Sequence, residues 1–465
     1  MAKMTQHESG SRDPYQRFWE QLDEIRSRHP GASLVVEPET AAPGSGVAPR
    51  YVYEESQVLC TADPDWVGDR LSARIGTRTR IRDGLYKLEL LDGQRAPVEA
   101  DRLNQRLATE DPGRAGRPVI SPNHLIGIAP VTACPADEPK PVPRDTSPWP
   151  PARGGGGAGV QVLVVDSGLF PGFEDYDWLA GVEGGRRNPY RTAGRGRLDD
   201  PQWIKQYAGH GTFVAGVVRC AAPEATIEVS NELQEGGALL EDKLGTVLLA
   251  RLDEYEAEQG RWPHIISLSA GGNSHGNCDL LGLQPFLDQL ADHPQTVLVA
   301  AAGNDGSDDL FFPAASAATY PGAVISVGAL RRDQKGRACF SNHGETVTVF
   351  APGEHHVNAF PPGLYYYRHP SEPVCRYYDP PLVEPCTCLG QPDYGDVVRF
   401  SRMARWSGTS FATPLVAGMI ASHMTETGEL GNARAAAADL FARRMTTLTE
   451  KVDQQVLPAL APWWT

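Results

Sequence analysis

The chain has no apolar run long enough to cross a bilayer, and its opening stretch MAKMTQHESGSRDP lacks the hydrophobic core of a secretion signal. A cytoplasmic protein with no membrane partner is the expectation. Cysteine is scarce. Cys60, Cys134, Cys220, Cys278, Cys339, Cys375, Cys386 and Cys388 are the whole supply in 465 residues, which argues against a disulfide scaffold and makes free thiols the default. Positive charge is short too: 43 Lys and Arg against 58 Asp and Glu leave a net charge of −15, which argues against a nucleic-acid binder. What remains is an ordinary globular composition, 41% hydrophobic and 22% charged, on a chain too long for one core of usual size.

The pattern along the chain divides it into four parts. Residues 1–49 hold a helix signal, with Asp13 as cap, Pro14 at the first position and Tyr15, Phe18, Trp19, Leu22 and Ile25 at helical spacing; AAPGSGVAP then breaks the chain. Residues 50–130 read as a small α+β domain: strand-like YVYEESQVLC, a short helix opened by Asp63-Pro64, alternating LYKLELL, and a helix around Val98 to Leu107. Residues 131–157 are rich in proline and end in four glycines, the composition of a linker that is extended first and flexible at its end. The main domain then fills 158–465, with an unusually long stretch at about 354–406.

Chemistry-bearing residues stand at the ends of its apolar runs. VQVLVV, a run of strand length that suits burial on both faces, ends in Asp166. GHGTFVAGVV places His210 just ahead of a helical run, and VLVAAAGN ends in Asn304. SGTSFATP sets Ser410 shortly before Pro414, which predicts a helix start beside a hydroxyl, where unpaired N–H groups favour negative charge. Any one of these would ordinarily be a cap or turn residue. Together they supply a nucleophile, a base, an orienting acid and an oxyanion donor.

These motifs, DSG, GHGTFVAG, AAGN, FSNHG, APG and GTSFATPLVAG, resemble those of the subtilisin-like serine protease family over roughly 158–445, in the order Asp, His, Ser. The resemblance implies an α/β fold: a three-layer catalytic domain on a parallel sheet, preceded here by the small α+β domain. It implies a serine endopeptidase acting on protein or peptide substrates, with Ser410 as nucleophile, His210 as base, Asp166 as its orienter and Asn304 in the oxyanion hole. SLSAGG, with Ser269, Ala270 and Gly271, is similar to the strand that pairs with substrate backbone. The small residues around Ala301 and Gly303 leave room for a sizeable substrate side chain. No cofactor is required and no metal ligands are assigned, although a structural calcium ion is compatible with the family.

Several departures carry expectations of their own. The basic run RRNPYRTAGRGR, 186–197, reads as a solvated loop or a contact for a substrate or regulator. His369, Cys375, Cys386 and Cys388 offer four zinc-type donors at unusual spacing, with free thiols ranked first. A protease working inside a cell needs restraint, so a regulatory partner or an inhibitory role for residues 50–130 is expected, with SPNHLIGIAP, 121–130, as the segment that would enter the substrate groove. The alternative is a catalytically silent module that binds through the same fold.

Overall fold

In the computed structural model, the residues described are 15–91, 93–111, 118–128, 138–190, 202–233, 236–367, 396–450 and 455–464. The apolar runs become a nine-stranded sheet. Its order is Met445–Thr449, Val456–Leu460, Val349–Pro352, Val324–Leu330, Val297–Ala301, Ile265–Leu268, Gln161–Val165, Thr226–Ser230 and Val182–Gly184. All neighbours are parallel except the C-terminal hairpin. The central strands are mostly Val, Ile, Leu and Ala because both faces are covered, and these side chains are buried. The chain passes from Gln161–Val165 to a neighbour on one side and then to one on the other. Such a reversal opens a crevice at the carboxyl ends of the strands.

Two helices position the chemistry. His210–Ala221 and Thr409–Thr427 pack against each other, and the second also crosses the central strands. Gly418 permits the close crossing, since a Cβ there would sit 2.9 Å from the Val218 carbonyl oxygen. Pro414 lies inside the second helix, a turn later than the sequence pattern suggests; the helix already begins at Thr409. Proline has no N–H for the carbonyl four residues back. That carbonyl belongs to Ser410, and it accepts from the Ser269 hydroxyl instead, at 2.9 Å.

The N-terminal part is a second, antiparallel sheet in the order Ile120–Gly127, Tyr51–Cys60, Leu85–Leu90, Ile75–Arg82, with Leu34–Glu37 also paired to Tyr51–Cys60. Helix Ala96–Glu110 buries Leu103 and Leu107 against it. The predicted cap at Asp63 is present, accepting from Asp65 and Trp66 N–H. Two expectations about boundaries change. Helix Gln16–Arg28 and strand Leu34–Glu37 belong to this unit rather than to a separate arm, because Phe18, Leu22 and Ile25 share a core with Leu125; the proposed Asp13–Pro14 cap lies outside the described residues. Residues 138–157 do not form a loose tether: Lys140–Pro141 pairs with Ala404–Arg405, Trp149 N–H donates to Val357 O, and Arg153 N–H donates to Cys220 O.

No described helix is long and apolar enough to cross a membrane. Cys60, Cys220, Cys278 and Cys339 are free thiols. Cys134, and the His369, Cys375, Cys386 and Cys388 set with its zinc expectation, lie outside the described residues. So does the 191–197 part of the basic run, while Arg186 pairs with Glu174 at 2.5 Å.

Candidate active site

Asp166 leaves the carboxyl end of Gln161–Val165 fully buried, and Ser167 N–H donates to its Oδ1 at 2.7 Å. His210 opens its helix from Gly209, whose φ of +85° and contact with Pro361 leave no place for a side chain. His210 Nδ1 lies 2.9 Å from both Asp166 carboxylate oxygens. That contact makes Nδ1 the protonated nitrogen and leaves Nε2 as the free base. The ring is held edge-on by Trp406 at 5.2 Å and against Phe411 at 5.5 Å. Since Phe411 follows Ser410 directly, this packing brings the imidazole to the start of the serine helix.

Ser410 is the second residue of that helix and nearly buried. Its Oγ reaches the Ser269 carbonyl at 3.5 Å, a long contact, and no described hydrogen bond joins it to His210. Apo sites of this kind often hold their catalytic hydrogen bonds loosely. Asn304 stands across from it. Its Oδ1 accepts from both Thr409 N–H and Thr409 Oγ–H at 2.9 Å, so the amide is turned with Nδ2 as its free donor. Thr409 gives no sign of this role in the sequence beyond standing next to the serine. Trp406 and Phe411, which fix the imidazole, are equally silent there.

Ser269, Ala270 and Gly271 run on from Ile265–Leu268 beside Ser410. The partner of this edge is the chain's own N-terminal sheet. Gly127 and Gly271 exchange two backbone hydrogen bonds of 3.0 Å. On the other side, Leu125–Gly127 pairs with Ala238–Leu240, and Ile128 N–H donates to Gly237 O at 2.9 Å. Residues 125–128 are therefore the middle strand between two walls of the catalytic part, and all are buried. Pro130 and the rest of the 129–137 span lie outside the described residues.

Ala301 is buried at the end of Val297–Ala301 and Gly303 follows it, and the space between Gly303 and Gly271 is not open. The Phe311 ring occupies it: a Cβ on Gly303 would meet Phe311 Cγ at 2.9 Å, and one on Gly271 would meet Phe311 Cδ1 at 2.8 Å. The expectation of a roomy pocket fails here because it counted only the small residues of the walls.

A polar cluster fastens the N-terminal sheet beside this site. Glu241, at the start of helix Glu241–Gln259 and fully buried, accepts from His124 N–H at 2.9 Å, His124 Nδ1–H at 2.6 Å and Gly282 N–H at 2.7 Å. His124 Nε2 accepts from His275 N–H. Asp242 pairs with Lys87 at 2.7 Å and accepts from Asn123 at 3.0 Å. Among the described residues no cluster of three or more His, Cys, Asp or Glu is placed to hold a metal.

The sequence pattern of the subtilase family matches residues 157–457. Among curated proteins, an intracellular serine protease of Paenibacillus polymyxa is 30% identical over 277 residues, covering 57% of this chain and 66% of that protein. Thermitase of Thermoactinomyces vulgaris is 28% identical over 291 residues, covering 60% and 80%. Among solved structures, fervidolysin from Fervidobacterium pennivorans, a keratinolytic enzyme related to subtilisin, aligns over 88% of this chain and 60% of its own at 17% identity, with a TM-score of 0.50. At that identity the likeness speaks for the fold alone.

Proposed function

The chain belongs to the subtilase family of serine endopeptidases, and on that premise we propose that Asp166, His210 and Ser410 form its catalytic triad and that residues 125–128 slow it by competing for the substrate groove. The observation that carries the first half is the Asp166–His210 contact at the mouth of the parallel sheet, beside a serine at a helix start. Ser410 Oγ turns from the Ser269 carbonyl toward His210 Nε2 and attacks the scissile carbonyl carbon as its proton passes to Nε2. The carbonyl oxygen takes the negative charge, which Asn304 Nδ2 and the Ser410 N–H stabilise. Collapse expels the amine, which takes the proton from His210, and water then repeats the sequence to free the acid. Asp166 keeps its charge throughout and holds the imidazole in the productive tautomer.

Restraint follows from strand pairing. Main-chain hydrogen bonds recognise any extended peptide, so a strand of the chain's own, already paired at Gly271, competes with every substrate. The Glu241 cluster adds affinity that a free peptide lacks. The relative from Paenibacillus polymyxa is named an intracellular protease; an intracellular setting for this chain is the matching proposal, and the restraint suits it. Hydrolysis of a casein-derived peptide mixture by the wild type, by Ser410→Ala and by Asp166→Asn is the test. Both variants are expected to lose about 10⁴-fold or more in turnover. Equal rates in Ser410→Ala would instead favour a fold used for binding alone.

A further inference from the structure

We infer that Phe311 closes the first side-chain pocket, so that the enzyme cuts after glycine or alanine and rejects large residues. This inference rests on the protease reading above.

The register of the docked strand locates the pocket. Gly127 pairs with Gly271 in antiparallel fashion, so a substrate strand bound in that register would set opposite Ser269 the residue two places after the one opposite Gly271. The Ser269 carbonyl is the group that Ser410 Oγ touches. A substrate residue at that position therefore presents its carbonyl to the nucleophile. Its side chain must enter between the two backbone strips nearest by, 269–271 and 301–303. These strips extend neighbouring parallel strands that are paired at Leu268 and Ala300, and they part only beyond the sheet edge. The slot between them is the one the Phe311 ring fills, in contact with the Cβ positions of both Gly271 and Gly303.

The ring is not a side chain free to swing away. Phe311 is only 4% exposed. Its backbone is tied to the same wall, with Phe311 and Phe312 paired to Asn273 and Gly272, and Asn273 Nδ2 donating to the Leu310 carbonyl at 3.2 Å. A substrate with a benzyl or isobutyl group at this position would have to displace a packed aromatic ring; a hydrogen or methyl would not. The sequence itself has alanine two residues after Gly127, at Ala129, a residue outside the described ones.

The test uses the full-length protein and four tetrapeptide amides that differ only in the residue before the scissile bond: Gly, Ala, Leu or Phe. Ratios of kcat/KM are compared, because the fraction of molecules with an open groove cancels from a ratio. Wild type is expected to prefer Ala over Phe by about 100-fold or more, the scale on which pockets discriminate hydrophobic groups. Phe311→Gly should turn the ratio toward Phe by a similar factor. Phe311→Leu, a milder change that keeps the site packed, should fall between. A wild type that cuts after Phe or Leu as readily as after Ala overturns the inference, and so does a ratio unmoved in Phe311→Leu and Phe311→Gly. A fluorophosphonate, which has no such side chain, separates the two levels. Failure of any peptide preference with Ser410 still labelled sinks only the pocket; no labelling and no cleavage sinks the protease reading as well.

Discussion

Gly127 and Gly271 lie on units more than a hundred residues apart in sequence, yet each donates its N–H to the other's carbonyl at 3.0 Å. The pair is an antiparallel bridge that ties the N-terminal sheet to the edge running on from Ile265–Leu268 beside Ser410.

Glu241 is the anchor that a bound peptide would lack. Glu241→Ala leaves His124 N–H, His124 Nδ1–H and Gly282 N–H without their acceptor, a loss of about 3–5 kcal/mol for a buried, hydrogen-bonded charge. The N-terminal sheet should dock more weakly, and peptide hydrolysis by the full chain should rise about 100-fold or more. A folded variant, judged by circular dichroism, with wild-type activity would show that this cluster does not restrain the groove.

Helix Gln16–Arg28 backs strand Ile120–Gly127 from outside. Leu22 is almost fully buried with Leu125, Ala238 and Leu240, and Gln21 Nε2 donates to Gly236 O at 3.2 Å on the opposite wall. Leu22→Ala should cost about 2–5 kcal/mol of that packing. Limited proteolysis is expected to remove the N-terminal helix faster than in the wild type while the catalytic part persists. Simultaneous loss of both parts would mean that the helix supports global folding instead.

Asn304→Leu should lower turnover by about 10²–10³ with little change in KM, since the amide acts only on the charge that develops in the transition state. Thr409→Val removes one of the two donors that aim this amide and keeps the backbone one. A smaller fall in kcat, about tenfold, with KM again unmoved, is the expected result. A fall in KM-linked binding alone would place Asn304 in ground-state recognition.

Stability should decline as pH drops from 6.5 toward 4. Burial pushes His356 down to about 4, against the opposing effect of its hydrogen bond to Pro352 O. Burial, aided by Arg261, also pushes His264 down to about 4. Both are neutral in the fold and take up a proton on unfolding, so the unfolded state gains protons throughout that window, and stability is full above 6.5 and lost below it. Each contributes at most about 3 kcal/mol. Denaturant midpoints measured between pH 7.5 and 4 should fall, and His356→Phe should flatten the slope; a midpoint that rises on acidification contradicts the assignment.

The sequence and the fold agree where local rules suffice. Asp166, His210 and Asn304 sit at the mouths of elements because apolar strands end beside Asp166 and Asn304 and a helical run begins at His210, and those patterns are local. Pro414 misled by a turn, since its role is to free a carbonyl for Ser269 rather than to start a helix. The strand Ile75–Arg82 was missed because IGTRTRIR, largely exposed, has no apolar alternation to read. SPNHLIGIAP reads as an extended segment for the groove, yet Ile120–Gly127 is also an inner strand of the N-terminal sheet; its buried Asn123 and His124 find their partners in Gln57, Glu241, Asp242 and His275, all distant in sequence. Phe311 escaped for the same reason. Nothing near it in the sequence says that its ring fills the space between Gly271 and Gly303.

The measurement that bears most directly on the whole account is the rate at which a fluorophosphonate labels Ser410, followed by peptide mass spectrometry, in the full chain and in Gly127→Pro. Proline at 127 removes the N–H that donates to Gly271 and forces side-chain atoms against Ala238, where a Cβ would already stand 3.3 Å from the Ala238 Cβ. The account predicts slow labelling of Ser410 alone in the wild type, labelling about tenfold faster or more in Gly127→Pro, and none in Ser410→Ala. Labelling that survives in Ser410→Ala, or a rate identical in wild type and Gly127→Pro, would contradict it.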